Sequence, residues 1–197
     1  MRDTLTGIPL IIVQTYETKR RGDVKKMSNQ SVNTKKLALT AIFAAVAVVG
    51  SMFSFPVFGS KCAPVQHLVN VLCAVFLGPG WGLAAAFIAS VIRDITGLGT
   101  PLAFPGSMCG ALLSGLLYKQ FKVLPAAWVG EIFGTAVIGG ILAYPIASAI
   151  MGNANAALFT FVVPFLISTV GGTIIAAIIT LALHSRGVIG RLREEIE

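Results

Sequence analysis

Charged residues are scarce in this chain: Asp, Glu, Lys and Arg make up 12% of its 197 residues, against about 25% in soluble proteins. Hydrophobic residues account for 55%. This shortage of charge excludes an ordinary soluble domain and predicts a protein embedded in lipid. The alternation of polar and apolar residues that marks barrel strands is also missing, so we expect helices to cross the bilayer.

Sequence motifs for catalysis are absent too. The chain has no Gly-x-x-x-x-Gly-Lys-Ser/Thr, so it does not itself hydrolyse ATP through a P-loop, and it has neither His-Glu-x-x-His nor Gly-x-Ser-x-Gly. Its three cysteines, Cys62, Cys73 and Cys109, lack metal-ligand spacing and are interpreted as small packing residues. We therefore expect no enzyme activity, no metal and no cofactor.

What the chain does contain is a series of long apolar stretches. A membrane-spanning helix needs roughly 20 apolar residues, and six stretches come near that length: 37–55, 64–79, 80–96, 105–121, 125–150 and 157–183. The second and third are short and separated only by Gly78-Pro79-Gly80, so five spans is the alternative count. We predict an all-α membrane protein with a bundle of six transmembrane helices, in one domain over residues 35–185.

The formal net charge of +7 is distributed unevenly along this bundle. Eight Lys and Arg residues lie in residues 1–36, and six spans place five more on the same side: Lys119, Lys122, Arg186, Arg191 and Arg193. Only Lys61 and Arg93 lie on the other side. This positive-inside bias predicts cytoplasmic N- and C-termini in a multi-pass protein of the cell membrane. It gives no reason to expect nucleic acid as a partner.

Both ends of the chain differ from the predicted bundle. Residues 1–34 are expected to be a tail that is disordered or wrongly assigned to the protein, and Met27 is an alternative translation start. The apolar stretch 5–13 in that tail is too short to span and lacks the features of a secretory signal. Residues 186–197 are expected to form a cytoplasmic tail.

A group of polar residues interrupts the second predicted span. Gln66, His67 and Asn70 fall in its first two turns at spacings of three and four, so they share one sector of the helix. They are either satisfied packing groups or the donors and acceptors of a ligand site. Arg93-Asp94, at the end of the third span, is interpreted as a surface pair of little energetic value.

Glu131 is the only ionisable residue well inside a predicted span. Such residues are costly in lipid and usually face the bundle interior or water. Glu131 is therefore either a polar anchor beneath a binding cavity or a structural hydrogen-bond partner of a neighbouring helix.

Small-molecule sites are mostly apolar and aromatic, with a few well-placed polar groups. The aromatic residues predicted to face such a site from the outer half are Phe58, Phe104 and Tyr144, with Phe53, Phe55 and Trp81 as further candidates. Trp and Tyr at span ends are equally typical of interfacial anchors.

Small residues recur at helical spacing in three spans. Ala41 and Ala45 share one face of the first span, and such a face lets another helix approach closely in lipid. That face either packs inside the protein or docks a partner. Two Gly-x-x-x-Gly pairs, at 106/110 and 130/134, have the same property.

Four phrases resemble the ThiW family, a group of substrate-binding S components of energy-coupling factor (ECF) vitamin transporters. They are Cys62-Ala-Pro-Val-Gln-His-Leu-Val-Asn70, Leu77-Gly-Pro79, Ala103-Phe-Pro-Gly-Ser-Met108 and Phe161-Val-Val-Pro-Phe-Leu-Ile-Ser168. The resemblance runs from about residue 35 to residue 184.

This resemblance implies capture of a thiamin precursor, hydroxyethylthiazole, from outside. It also implies docking on a transmembrane T component that carries two cytoplasmic ATPases, with the family's Ala-x-x-x-Ala contact mapping onto Ala41 and Ala45. The alternatives are an S component for another vitamin, a stand-alone proton-coupled carrier that uses Glu131, and a structural protein whose Gly-x-x-x-Gly faces only pack helices.

Overall fold

Helices make up most of the protein in a computed structural model that describes residues 10–57 and 60–196. The eight α-helices are α1 (Leu10–Gly50), α2 (Pro64–Phe76), α3 (Pro79–Ile95), α4 (Ala103–Phe121), α5 (Leu124–Phe133), α6 (Gly140–Pro145), α7 (Val162–Ser185) and α8 (Val188–Ile196). π-Helical turns at Gly134–Gly139 and Ile146–Ile150 join α5 to α6 and extend α6. Residues Leu124–Ile150 therefore form one long helical segment.

Within residues 10–57 and 60–196, three helical segments are long and apolar enough to cross a membrane: Thr34–Phe53, Leu124–Ile150 and Val162–Ser185. Between them lie the shorter α2, with 13 residues, α3, with 17, and α4, with 19. These helices match the six predicted stretches in order and position. The prediction of a helical membrane protein is confirmed, whereas the count of six spans and the cytoplasmic position of both termini stay predictions.

Glycine and proline residues set the helix boundaries in the short segments. Pro64 and Pro79 are the first residues of α2 and α3, where the missing N–H of proline has no intrahelical partner to lose. Gly78 separates these helices at a φ of 86°, in the left-handed region that favours glycine. The chain therefore reverses sharply between α2 and α3.

The N-terminal region is helical over most of its described residues. Helix α1 begins at Leu10, where a disordered or wrongly assigned tail over 1–34 was expected. Residues 10–36 contain no proline and a single glycine, Gly22, so nothing in them breaks a helix extended from the first span. Residues 1–9 lie outside the described residues. The division at residue 34, the start at Met27 and the separate tail over 186–197 stay predictions.

The loop expected after the first span contains a short β-hairpin instead. Strands β1 (Phe55–Val57) and β2 (Ser60–Cys62) pair antiparallel, with Phe55 opposite Cys62. Within β2, Ser60 and Cys62 are buried and Lys61 is exposed. The Cys62 thiol donates to the backbone oxygen of Pro164 at 3.3 Å, which ties the hairpin to the start of α7.

The Gly-x-x-x-Gly residues pack α4 against the long segment 124–150. A Cβ added at Gly134 would lie 2.6 Å from the Cys109 oxygen, and one at Gly139 would lie 2.7 Å from the Gly106 Cα. Only hydrogen fits at these positions, so the two backbones approach closely. The main consequence is the position of Glu131, which this contact brings against Gly110.

Helix α1 divides its small residues between two faces. Ala44 and Ala47 are buried in a core with residues of α2 and α3, among them Val69. Ala41 and Ala45 are exposed on the neighbouring face. Internal packing is therefore the wrong interpretation of the Ala41/Ala45 face.

Candidate functional site

The ends of four helices surround a cavity beneath β2. It lies at the start of α2, the end of α3, and the starts of α4 and α7, and its volume is about 40 Å³. The charge distribution predicts that this end faces the outside. The polar side chains lining the cavity are Ser60, Lys61, Gln66, His67, Arg93, Thr100, Ser107, Thr135 and Ser168.

His67 connects three helices at the base of this cavity. Its Nδ1 lies 2.8 Å from Glu131 Oε1 on α5, and its Nε2 lies 3.1 Å from Ser168 Oγ on α7. The backbone N–H of Ala63 donates to the same Ser168 oxygen at 3.0 Å. Both ring nitrogens of His67 are therefore engaged, one by a carboxyl group and the other by a hydroxyl group.

Glu131 is the centre of the polar cluster, and its side chain is 0% exposed. Besides the contact with His67, Oε1 accepts from Asn70 Nδ2 at 2.9 Å and from Thr135 Oγ1 at 3.1 Å. Oε2 has no hydrogen-bond partner among the described residues. Thr135 lies in the π-helical turn that follows Glu131, and such turns are frequent at functional sites.

Arg93 completes the cluster from the end of α3. Its side chain is only 3% exposed, and Nη1 donates to Gln66 Oε1 at 3.1 Å. Gln66 Nε2 in turn donates to Asn70 Oδ1 at 3.1 Å. The two amides thus connect the guanidinium to the Glu131 carboxyl group through a chain of hydrogen bonds. The interpretation of Arg93-Asp94 as a surface pair is wrong for Arg93.

The guanidinium also has an uncommitted donor. Arg93 Nε is buried and has no partner in the part of the chain that the structure describes. A buried N–H without a hydrogen bond costs about 1–3 kcal/mol. Because Arg93 lines the cavity, an acceptor on a bound ligand is one way to meet that cost.

The structure places the sequence-predicted site residues in three groups. Gln66 and His67 line the cavity, while Asn70 and Glu131 lie in the hydrogen-bond network beneath it. Neither Phe104 nor Tyr144 is among the described residues that line the cavity, and Phe104 packs edge-on against Phe87 with centroids 5.9 Å apart. Phe58 lies outside the described residues. That these residues bind substrate stays a prediction.

Phe165 is the aromatic residue that the structure brings to the cavity, and sequence reasoning missed it. A Cβ added at Gly106 would lie 3.0 Å from its ring, so the ring sits directly on α4. Its spacing of three from Ser168 puts the two on one face of α7. That spacing was one available signal, and the spacing of four from the buried Thr169 was another, because polar residues in an otherwise apolar spanning helix usually face the bundle interior.

The helices around the cavity fall within a match to a known protein family. No curated protein sequence matches the chain. The family model described as "Thiamine-precursor transporter protein (ThiW)" matches residues 37–186. The match extends from the apolar part of α1 through α7, and it therefore includes every helix that contributes to the cavity. The chain belongs to the ThiW family of thiamine-precursor transporters.

Proposed function

We propose that this protein is the substrate-binding S component of an ECF-type importer and that it captures hydroxyethylthiazole from outside the cell. The observation that carries the proposal is the cavity at one end of the bundle, with the buried cluster of His67, Glu131, Asn70, Gln66 and Arg93 at its base. In this proposal six spans cross the cell membrane and both termini are cytoplasmic.

The chemistry of the cavity suits a small, flat, neutral ligand. The Phe165 ring offers an apolar surface for a thiazole ring, and the Arg93 Nε–H can donate to the ring nitrogen or the hydroxyl oxygen. Hydrogen bonds connect Arg93 and Glu131 within the cluster, and a neutral ligand needs no strong countercharge. A ligand that left these polar groups without hydrogen bonds would lose about 1–3 kcal/mol of binding free energy for each group.

The source of energy lies outside this chain in our proposal. The sequence has no P-loop, so uptake against a gradient requires ATPases on other chains, joined through a T component. The exposed Ala41/Ala45 face of α1 is the proposed docking surface, since small residues allow close helix contact in lipid.

A binding titration tests the substrate. Isothermal titration of the purified full chain with hydroxyethylthiazole, thiamin, the pyrimidine precursor, riboflavin and biotin should show a clear preference for the thiazole. A preference for any of the other four would assign the protein to another vitamin and refute the thiazole proposal. Absence of binding to all five would favour a structural protein.

Reconstituted uptake tests the docking surface. Ala41→Trp with Ala45→Trp should leave thiazole binding unchanged but stop ATP-driven uptake into liposomes that contain the T component and ATPases. Ile174→Trp with Ile178→Trp is the matched control, because these residues are also exposed and four apart, on α7. Uptake that survives the alanine pair, or that the control pair also abolishes, would show that the docking face is misassigned.

The fully buried Glu131, with one unpartnered oxygen, favours one alternative: a stand-alone proton-coupled carrier. That alternative predicts uptake by this chain alone and its collapse with a proton ionophore. The ECF proposal predicts no accumulation without the other subunits, and ATP-driven uptake that an ionophore leaves intact. The same liposomes therefore separate the two functions.

A further inference from the structure

A second cavity lies at the opposite end of the bundle from the first. It is formed where α2 ends, α3 begins and α4 ends, next to α8, and its volume is about 240 Å³. Four cationic side chains line it: Lys36, Lys119, Lys122 and Arg193. No acidic side chain is among the described residues of its lining.

Separate elements bring these four cations together. Lys36 lies on α1, Lys119 in the last turn of α4, and Lys122 directly after α4 in the left-handed conformation, with a φ of 58°. Arg193 lies on α8, with its guanidinium carbon 5.8 Å from the centre of the Tyr118 ring, and this cation–π contact holds α8 beside α4. Lys36, Lys119 and Lys122 form no ion pair with any described residue.

The backbone does not cancel this positive charge. The end of α2 contributes about half a negative charge and the start of α3 about half a positive one, so the two terms offset each other at the same turn. A Cβ at Gly78, which lines the cavity, would meet nothing within 4 Å, so no side chain fills the space beside this turn. The buried Ala74 and Val75 form an apolar wall on the other side.

We propose that this cavity is a second binding site, for the phosphate group of an anionic lipid headgroup or of a free phosphate. Basic pockets between spanning helices at the cytoplasmic face typically hold lipid phosphates, and the charge bias of the chain predicts that this end is cytoplasmic. Topology alone requires cations near the span ends. It does not require that three helices and a loop residue direct them into one cavity with an apolar wall.

Lipid titration tests the site. Native mass spectrometry of the detergent-purified full chain gives the affinity for phosphatidylglycerol and, as the zwitterionic reference, phosphatidylcholine. Each cation near a charged surface contributes about fivefold in affinity, so Lys119→Gln with Lys122→Gln should weaken phosphatidylglycerol binding about twenty-fivefold. Arg186→Gln with Arg191→Gln is the control of equal charge, since both residues are exposed outside the cavity. Circular dichroism checks that every variant keeps its helix content.

Inorganic phosphate identifies the source of the group. If phosphate at millimolar concentration fails to displace phosphatidylglycerol, the site takes a lipid. If phosphate displaces the lipid, and the Lys119→Gln/Lys122→Gln variant no longer shows this displacement, the site takes free phosphate. Equal affinity for phosphatidylglycerol and phosphatidylcholine, with no effect of phosphate, would overturn the proposal. An equal loss of phosphatidylglycerol affinity in the lysine variant and in the arginine control would also overturn it, because that loss would reflect only general surface charge.

Discussion

Gly110→Ala is the sharpest test of how the fold positions Glu131. A Cβ built at Gly110 would overlap Thr135 Oγ1 and would lie 2.8 Å from both carboxyl oxygens of Glu131. The carboxyl group cannot simply move away, because Oε1 is held by His67, Asn70 and Thr135. Overpacking of this kind costs about 1–3 kcal/mol, and here it also displaces the group to which His67 is bonded.

Gly171→Ala provides the matched control within α7. A Cβ at Gly171 would meet nothing within 4 Å, so this variant gains the usual helix preference of alanine without a clash. Because both substitutions share that gain, the difference between their free energies of unfolding should be the overpacking cost alone, about 1–3 kcal/mol. Circular dichroism during SDS titration measures it. A Gly110→Ala protein as stable as Gly171→Ala would refute the described approach of α4 to Glu131.

Three further predictions follow from the same contacts. Ser168→Ala should lower the free energy of unfolding by about 1–3 kcal/mol, because it leaves the His67 ring and the Ala63 N–H without their buried partner. A denaturant titration measures this loss, with Ser185→Ala, at the exposed end of α7, as the control. Arg93→Gln should weaken thiazole binding at least about tenfold in calorimetry, because a charge-assisted hydrogen bond contributes about 1.5–3 kcal/mol, and unchanged affinity would exclude a ligand contact. Burial raises the pKa of the Cys62 thiol more than its hydrogen bond to Ser168 lowers it, so little thiolate forms at neutral pH. Maleimide should therefore label Cys62 far more slowly in the folded protein than in SDS, and mass spectrometry locates the label.

The sequence was sufficient to predict the inner part of the cluster. Gln66, His67 and Asn70 stand out because polar side chains at spacings of three and four share a helix face. Glu131 stands out because a carboxyl group inside a span requires partners. The contact between these α2 residues and Glu131 could be expected only loosely from the sequence. It depends on the close approach of α4 that Gly110 and Gly134 allow.

The rest of the site depends on tertiary structure. An arginine one turn from a helix end is equally compatible with a surface position, and only the hydrogen bond to Gln66 shows that Arg93 turns inward. Phe165 lies on the side of α7 that carries the buried Ser168 and Thr169, so its inward orientation could have been inferred, but its position at the cavity depends on the contact of α7 with Gly106. The hairpin over 55–62 is too short for a strand pattern to be recognised.

A structure of the full chain saturated with hydroxyethylthiazole is the most direct measurement of the binding site. We predict flat ligand density in the cavity beneath β2, against the Phe165 ring, with a ligand acceptor within hydrogen-bond distance of Arg93 Nε. Ligand density anywhere else on the protein, or a cavity that stays empty at saturation, would contradict the assignment.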